Sequence, residues 1–270
     1  MVHALVCAYN EEGRIYKNRG PLFPAIEILK TGLMNGLTIV NDGSTDNTQS
    51  EIFQALKDFD FSLFLESGQG NIGILRYKDS KSRTISVITH AKNQGKTKAV
   101  FSGLTNILNK YEGRFPPIFF FDADLRGFSI NHYLQLLYAS FNQGEGGYLI
   151  RGLFDPLILT RTNIASNLFP ALSGIRLTSP NILTDFYYNL GMHAASLKGY
   201  QIELFMEEVI KRLHKNVYIK NIRLDGLSQI DKEQKAFQSK SFENISKRFV
   251  MWWELLIGIY SIKKLKITQQ

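Results

Sequence analysis

The chain reads as an α/β protein, with a mostly parallel central sheet flanked by helices. Three observations carry that reading. Over roughly the first 125 residues, short runs rich in β-branched and aromatic residues alternate with helix-length stretches, which is the pattern of a parallel α/β layer. Four of the apolar runs lead straight into polar motifs: Ala8 to Glu12 (A-Y-N-E-E), Val40 to Asp46 (V-N-D-G-S-T-D), Asn93 to Ala99 (N-Q-G-K-T-K-A) and Phe119 to Leu125 (F-F-F-D-A-D-L). Finally, 270 residues at 44% apolar and 21% charged suffice to bury one large core. In such sheets ligands bind beyond the carboxyl ends of the strands, which is where the motifs fall.

Taken in order, residues 2–8 (V-H-A-L-V-C-A) predict a buried first strand, and Leu22 to Lys30 a helix. Gly36 to Val40 is the second strand, and Asp46 to Lys57 a helix that Ser44, Thr45 or Asp46 can cap. Phe61 to Leu65 and Ile85 to Ile88 predict strands, Lys96 to Lys110 a helix and Pro116 to Phe121 a buried strand. Beyond Asp124 the pattern loosens. Asn131 to Phe141 predicts a helix, Tyr148 to Leu153 a strand, Arg161 to Leu172 a helix broken at Ser173-Gly174, Gln201 to Leu213 a helix and Val217 to Leu224 a strand. The polar stretch Asp225 to Lys240 is expected to be mobile.

The formal net charge is +8. A basic surplus suits anionic partners such as nucleotide phosphates or acidic lipid heads, and equally serves plain solubility. No basic helix with interleaved aromatics is present, so nucleic acid is not an expected partner. Cys7 is the only cysteine, which excludes an intrachain disulfide and fits a reducing cytosol. The N-terminus lacks a basic n-region and reads as a strand rather than a signal peptide. The longest apolar stretch, Phe249 to Ile262 with Glu254 inside it, is short of the roughly 20 residues a spanning helix needs. It reads either as a helix packed on the domain or as an interfacial helix. In the second case Lys263, Lys264 and Lys266 would meet lipid phosphates, with Trp252 and Trp253 at the boundary.

Each motif carries its own chemistry. Asp122 and Asp124 lie at a strand end, where period-two geometry would point both the same way with Ala123 opposite. Two carboxylates so placed suit Mg²⁺ or Mn²⁺, which also accept diphosphate oxygens and keep water. Asp42 also ends a strand. It is either a turn residue, like Asp46, or the acceptor for a nucleobase ring N–H. Asn93-Gln94-Gly95-Lys96 opens a helix, where backbone N–H groups, the helix dipole and Lys96 favour an anion. It is not a P-loop. Gly68 to Gly73 matches G-x-G-x-x-G, but strand and turn residues follow it, so it reads as a hairpin.

The four motifs in this order resemble those of family-2-type nucleotide-sugar glycosyltransferases of the GT-A fold, whose usual forms are P-A-Y-N-E-E, V-D-D-G-S-T-D, N-x-G-K-G-x-A and D-A-D-L. The resemblance covers residues 2–130 and, more loosely, 145–225. It implies a Rossmann-like sheet in one compact domain, with residues 1–130 forming the donor half and residues 131–270 the acceptor half with a C-terminal helix. By residue, it assigns Ala8, Asn10 and Glu11 to the nucleoside cradle and Asp42 to the base. Asn93 and Lys96 fall in the nucleotide loop, and Asp122, Ala123 and Asp124 in the D-x-D that binds nucleotide and metal, with Asp124 the more direct ligand.

The second half is most similar to polyprenyl-phosphate sugar synthases of the dolichyl-phosphate type. The carriers are Tyr148 to Arg151, Arg161, Ser173-Gly174-Ile175-Arg176 and Gly199 to Glu203. That match would put phosphates on Arg151 and Arg161 and would have Arg176 orient the acceptor loop, and bidentate guanidinium donors suit such work. The implied activity is metal-dependent transfer of a hexosyl group from a UDP- or GDP-sugar to a phosphate-bearing acceptor. The favoured acceptor is polyprenyl phosphate at the inner face of a membrane, with peripheral contact through 249–266. The alternatives are transfer to a small soluble acceptor, as in glucosyl-3-phosphoglycerate synthases, whose S-G segment is similar, and a non-catalytic sugar-nucleotide binder. A hydroxyl acceptor would need a carboxylate base, and Glu203 and Asp185 are the candidates. Cys7, Asn41, Thr97 and Arg126 depart from the usual pattern, and no histidine follows His214 to act as a late metal ligand, leaving Asp225, Gln229 or Asp231 as substitutes.

Overall fold

The computed structural model describes residues 2–16, 20–141, 146–158, 167, 170–197, 201–229 and 259–269. The first half contains β1 (Val2–Ala8), α1 (Leu22–Thr31), β2 (Met34–Asn41), α2 (Thr48–Asp58), β3 (Ser62–Gln69), β4 (Ile72–Lys78), β5 (Thr84–His90), α3 (Lys96–Lys110), β6 (Ile118–Asp122), β7 (Leu125–Arg126) and α4 (Ile130–Ala139). The second half adds β8 (Tyr148–Leu153), a 3-10 turn at Pro170–Leu172, β9 (Arg176–Thr178), α5 (Pro180–His193), α6 (Gln201–Leu213), β10 (Tyr218–Arg223) and β11 (Ser228–Gln229).

Nine strands form one sheet in the order β10-β8-β9-β6-β1-β2-β5-β4-β3. Strands β6, β1, β2 and β5 are parallel neighbours, and β10 is parallel to β8. β9 runs antiparallel between β8 and β6, and β4 antiparallel between β5 and β3. The chain leaves β1 for β2 on one side, while β6 lies on its other side. The gap beyond the ends of β1 and β6 is therefore a topological switch point, the usual ligand crevice of an open α/β sheet.

Period-two alternation divides the core into two layers. Ala4, Val6, Phe119 and Phe121 face α1, α2 and α4, whereas Leu5, Ile118 and Phe120 face α3, α5 and α6. Asp122 continues the second set, so its carboxylate emerges on the side of α3 and α6. Both faces are covered by helices, which is why the central strands read as continuous apolar runs rather than alternating ones.

The G-x-G-x-x-G segment is the β3–β4 hairpin, with Gly68 opposite Gly73 and Gln69 opposite Ile72. Four elements, β7, β9, α5 and β11, have no counterpart in the sequence reading. β9 is three residues long and carries a buried arginine, so it has no strand-like apolar run. α5 begins at Pro180, at N1 where proline's missing N–H costs nothing. Of the predicted helix Arg161 to Leu172, residues 161–166, 168 and 169 lie outside the described residues. Within the predicted mobile stretch, Ser228–Gln229 pairs with Leu125–Arg126 as a two-stranded sheet.

The C-terminal residues 259–269 pack against the domain. Ile262 is buried, Arg212 donates to the carbonyls of Lys263 and Leu265 at 2.7 Å each, and Asn189 exchanges hydrogen bonds with the Thr268 backbone. This end of the stretch follows the packed reading. Residues 249–258, with Trp252 and Trp253, lie outside the described residues. Among the described residues no helix is long and apolar enough to cross a membrane.

Candidate active site

The first loop is fastened to the loop after β2. Asn10 sits in the left-handed region at φ 53, where asparagine is among the tolerated residues. Its N–H donates to Ser44 Oγ at 3.0 Å, and its Oδ1 accepts from the Thr45 N–H at 2.9 Å. Glu11 N–H donates to Thr48 Oγ1 at 2.7 Å, and the Glu11 carboxylate pairs with Arg14. Glu51 reaches back from α2 to accept from the N–H groups of Gly13 and Tyr16. Ala8 is buried at the end of β1 and takes the Asp42 N–H on its carbonyl at 2.9 Å. Asp46 turns back on the Thr48 N–H at 3.0 Å. Although its partial burial opposes ionisation, the hydrogen bonds from Thr48 hold its carboxyl below the usual range. These contacts tie the first loop to the loop after β2 and the start of α2.

Asp42 is buried and grips the lysine loop. Its Oδ1 accepts from Gln94 N–H at 2.9 Å, and its Oδ2 from Gly95 N–H at 2.8 Å. Asn93 Oδ1 shares that Gly95 N–H at 2.8 Å. Gly95 precedes α3 at φ 88, a conformation that explains glycine at this position. Thr97 is buried and donates to the Leu197 carbonyl at 3.3 Å. That bond ties the start of α3 to the chain just before α6.

Lys96 is the centre of the site. Its ammonium lies 2.9 Å from Asp122 Oδ1 and 2.6 Å from Glu203 Oε1. Burial alone would lower its pKa, but Asp122 and Glu203 outweigh that and hold it well above the ordinary lysine value. Glu203 Oε2 is buried and has no hydrogen-bond partner among the described residues. A cavity of about 40 Å³ borders Lys96, Asp122, Glu203 and Gly174, which is room for water-sized groups. Gly174 is required there, because a Cβ on it would lie 2.1 Å from Asp122 Oδ2. Cys7 neighbours Asp122 in the sheet, and burial pushes its thiol up, which disfavours the thiolate.

Of the three arginines singled out in the second half, Arg151 and Arg176 are described, and both are engaged with protein groups. Arg151 donates from Nε to Glu207 Oε1 at 2.9 Å and pairs its Nη2 with Glu207 Oε2, while Nη1 reaches Asn221 Oδ1 at 3.2 Å. Its guanidinium is thus engaged with Glu207 rather than presented to an open anion site. Arg176 is buried and donates to the Ser173 and Ala171 carbonyls, holding the loop that ends at Gly174 against Asp122. Burial lowers its pKa below the ordinary arginine value, with Glu207 and Glu203 opposing the shift. Arg161, Gly199 and Tyr200 lie outside the described residues.

Asp185 is not part of the site. Its carboxylate lies 3.0 Å from His214, which follows the last turn of α6. Glu203 is on the first turn, so at 1.5 Å per residue the two acids are separated by roughly 16 Å of helix. Of the two candidate bases, Glu203 alone is with Lys96 and Asp122.

The strand does not continue to the second carboxylate. β6 ends at Asp122, and Ala123-Asp124 form a turn, with Ala123 buried in the opposite core layer and Asp124 half-buried. Among the described residues no cluster of three His, Cys, Asp or Glu is placed to hold a metal by itself. Two carboxylates do not complete a coordination shell, so a Mg²⁺ or Mn²⁺ held by Asp122 and Asp124 would take its other ligands from a diphosphate and water. β11 pairs with β7 and so brings Gln229 opposite Leu125, next to Asp124 along the chain. Asp225 lies back in the turn before β11, and Asp231 is outside the described residues.

No family model matches the chain, and no curated protein matches it. Solved structures do. Glucosyl-3-phosphoglycerate synthase from Mycobacterium tuberculosis, in complex with Mn²⁺, UDP and phosphoglyceric acid, is similar at TM-score 0.52 and 18% identity, covering 88% of this chain and 73% of that one. Mannosyl-3-phosphoglycerate synthase from Rubrobacter xylanophilus is similar at 0.51 and 13%, covering 100% of this chain and 77% of that one. Together with the sheet order, these likenesses define the GT-A class of fold.

Two contributors were missed in the sequence. His90 and Glu207 are unremarkable by residue type and spacing, and only the strand register and helix packing bring them to Asp42 and to Arg151 and Arg176. An apolar strand that ends in histidine directly before the lysine loop was the available signal for His90.

Proposed function

We propose that the protein is a metal-dependent hexosyltransferase that uses a UDP- or GDP-sugar and a small, soluble acceptor carrying a phosphate. The observation that carries this reading is the Lys96 ammonium held between Asp122 and Glu203 at the switch point of the sheet. One cation and two acids at that edge fit a reaction in which a diphosphate leaves and an acceptor hydroxyl arrives.

In this reading the first loop around Asn10 and Glu11 and the Asp42 loop seat the nucleoside. Asp122 and Asp124 hold the metal, which when bound neutralises charge on the departing diphosphate. Lys96 turns from Asp122 to the same phosphates as a point charge. The turn frees Glu203, whose Oε2 accepts a hydrogen bond from the acceptor hydroxyl and orients it. The cavity beside these groups is walled by Phe120, Phe186, Ile202 and Met206, which limits water at the reacting atoms.

A small acceptor is favoured over polyprenyl phosphate for two reasons. Arg151, the first of the arginines expected to hold a lipid phosphate, is engaged with Glu207. In addition, the structural likeness runs to phosphoglycerate synthases over most of the chain. The test is a transfer assay with UDP- and GDP-hexoses, with and without Mn²⁺, against 3-phosphoglycerate and a short polyprenyl phosphate. Metal-dependent product on the soluble acceptor supports the reading. Product on polyprenyl phosphate alone would restore the lipid-acceptor reading, and no sugar transfer to either acceptor with any donor counts against a glycosyltransferase.

A further inference from the structure

Behind the lysine loop lies a second buried chain of hydrogen bonds. His90 ends β5 and is 3% exposed. Its Nδ1 is 2.7 Å from Asp42 Oδ1, and its Nε2 is 3.0 Å from Ser102 Oγ on α3. A carboxylate at Nδ1 assigns the proton there, so Nε2 accepts from the Ser102 hydroxyl. Asp42 then collects three hydrogen bonds: His90 Nδ1–H and Gln94 N–H on Oδ1, and Gly95 N–H on Oδ2. The distances are those of a Ser-His-Asp array. However, Ser102 lies inside a helix and none of the three lines the cavity at the site, so no substrate carbonyl reaches the hydroxyl.

We infer that His90 is a positioning residue for the nucleotide. It touches no ligand. Through Asp42 it fixes the Asn93–Gly95 turn and hence the direction in which Lys96 projects. The inference rests on the nucleotide-sugar reading above for its ligand, but not for the loop contact. The physical reason is the cost of an underpaired buried carboxylate. Remove the imidazole donor, and Asp42 keeps two donors in a site that water scarcely reaches. The carboxylate then rotates toward solvent or toward another donor, and the amides of Gln94 and Gly95 lose their acceptor. No fixed charge is removed from the ligand's surroundings, so the effect falls on loop order.

The experiment compares His90→Phe, His90→Gln and Ser102→Ala with wild type. Two readouts are taken: calorimetric affinity for UDP and GDP with Mn²⁺, and amide hydrogen exchange at Gln94 and Gly95. Leaving a buried acceptor short of a donor predicts about tenfold weaker nucleotide binding in His90→Phe, with faster exchange at both amides. Glutamine restores a donor, so His90→Gln should bind within about threefold of wild type. Ser102→Ala frees Nε2, and its predicted loss is also about threefold. A folded His90→Phe that binds as wild type overturns the inference, and so does a His90→Gln as weak as His90→Phe. If His90→Phe does not fold, Ser102→Ala decides: unchanged affinity together with unchanged exchange overturns it. A wild type that binds neither nucleotide defeats the functional reading instead, and amide exchange then tests His90 by itself, with unchanged protection in the variants overturning its role.

Discussion

Gly174→Ala is the most informative single change, because it adds one methyl group at a measured place. The added Cβ would lie 2.1 Å from Asp122 Oδ2, 2.9 Å from Cγ and 3.3 Å from Oδ1. Ordinary contact begins near 3.4 Å, so the carboxylate or the loop must give way by about 1.3 Å. The loop is not free to move: Arg176 holds the Ser173 and Ala171 carbonyls, and Ser173 Oγ donates to the Gly152 carbonyl. Asp122 therefore yields, and its 2.9 Å contact with Lys96 goes with it. A displacement of about 1 Å in a reacting group costs on the order of 10²-fold in rate, equivalent to about 2.7 kcal/mol. Loss of one half-buried ion pair removes about 1–2 kcal/mol of stability. The assay is a donor-turnover measurement with Mn²⁺ beside a thermal melt. A variant with wild-type turnover and an unshifted melt would refute the reasoning, since it would mean that Asp122 need not sit where the structure puts it.

Other predictions follow from the same contacts. Lys96→Met leaves Asp122 and Glu203 without their cation, and a loss of about 3 kcal/mol in denaturant unfolding is expected, at the low end for a broken buried pair because Lys96 is 27% exposed. Because the folded-state pKa of Lys96 is raised, its stabilising contribution is complete below the unfolded value near 10.5 and fades only above it. Wild-type stability measured between pH 9 and 12 should therefore fall more steeply than that of the Lys96→Met variant. His3 behaves oppositely. Burial, and secondarily Lys110, lower its pKa well below 6.5, so the unfolded chain binds the extra proton and stability drops as pH falls through about 6.5. His3→Gln should flatten that acid limb in urea titrations at pH 7.5 and 5.5. Thr97→Val removes the hydroxyl bond to the Leu197 carbonyl, and a melt should register about 1 kcal/mol with the fold intact.

Local runs were enough to read most of the longer elements. Helix α3 and strand β8 match the sequence expectation residue for residue, because glycine and lysine open α3 and turn residues bracket β8. The pairing of Lys96 with Asp122 was also within reach, since both lie at strand-end motifs. Glu203 could be singled out by position but not distinguished from Asp185. Only the packing of α6 shows that one acid lies at the sheet edge and the other at the far end, with His214. The partners of Arg151 and Arg176 were not legible for a related reason. A guanidinium suited to phosphate is equally suited to a carboxylate, and Glu207, one turn after Glu203, supplies one. β9 escaped notice because a three-residue strand with a buried arginine has no periodicity to detect, and it becomes a strand only when β6 and β8 pair with both of its edges.

The central claim is a metal-assisted nucleotide site on Asp122, Asp124 and Lys96. Its most direct test is calorimetric titration of UDP and GDP, with and without Mn²⁺, into wild type and Asp124→Ala. One nucleotide is expected to bind, more tightly with Mn²⁺, and the metal-dependent part of that binding is expected to be lost in the variant. Absence of binding by either nucleotide, or metal-independent binding unchanged in Asp124→Ala, would contradict it.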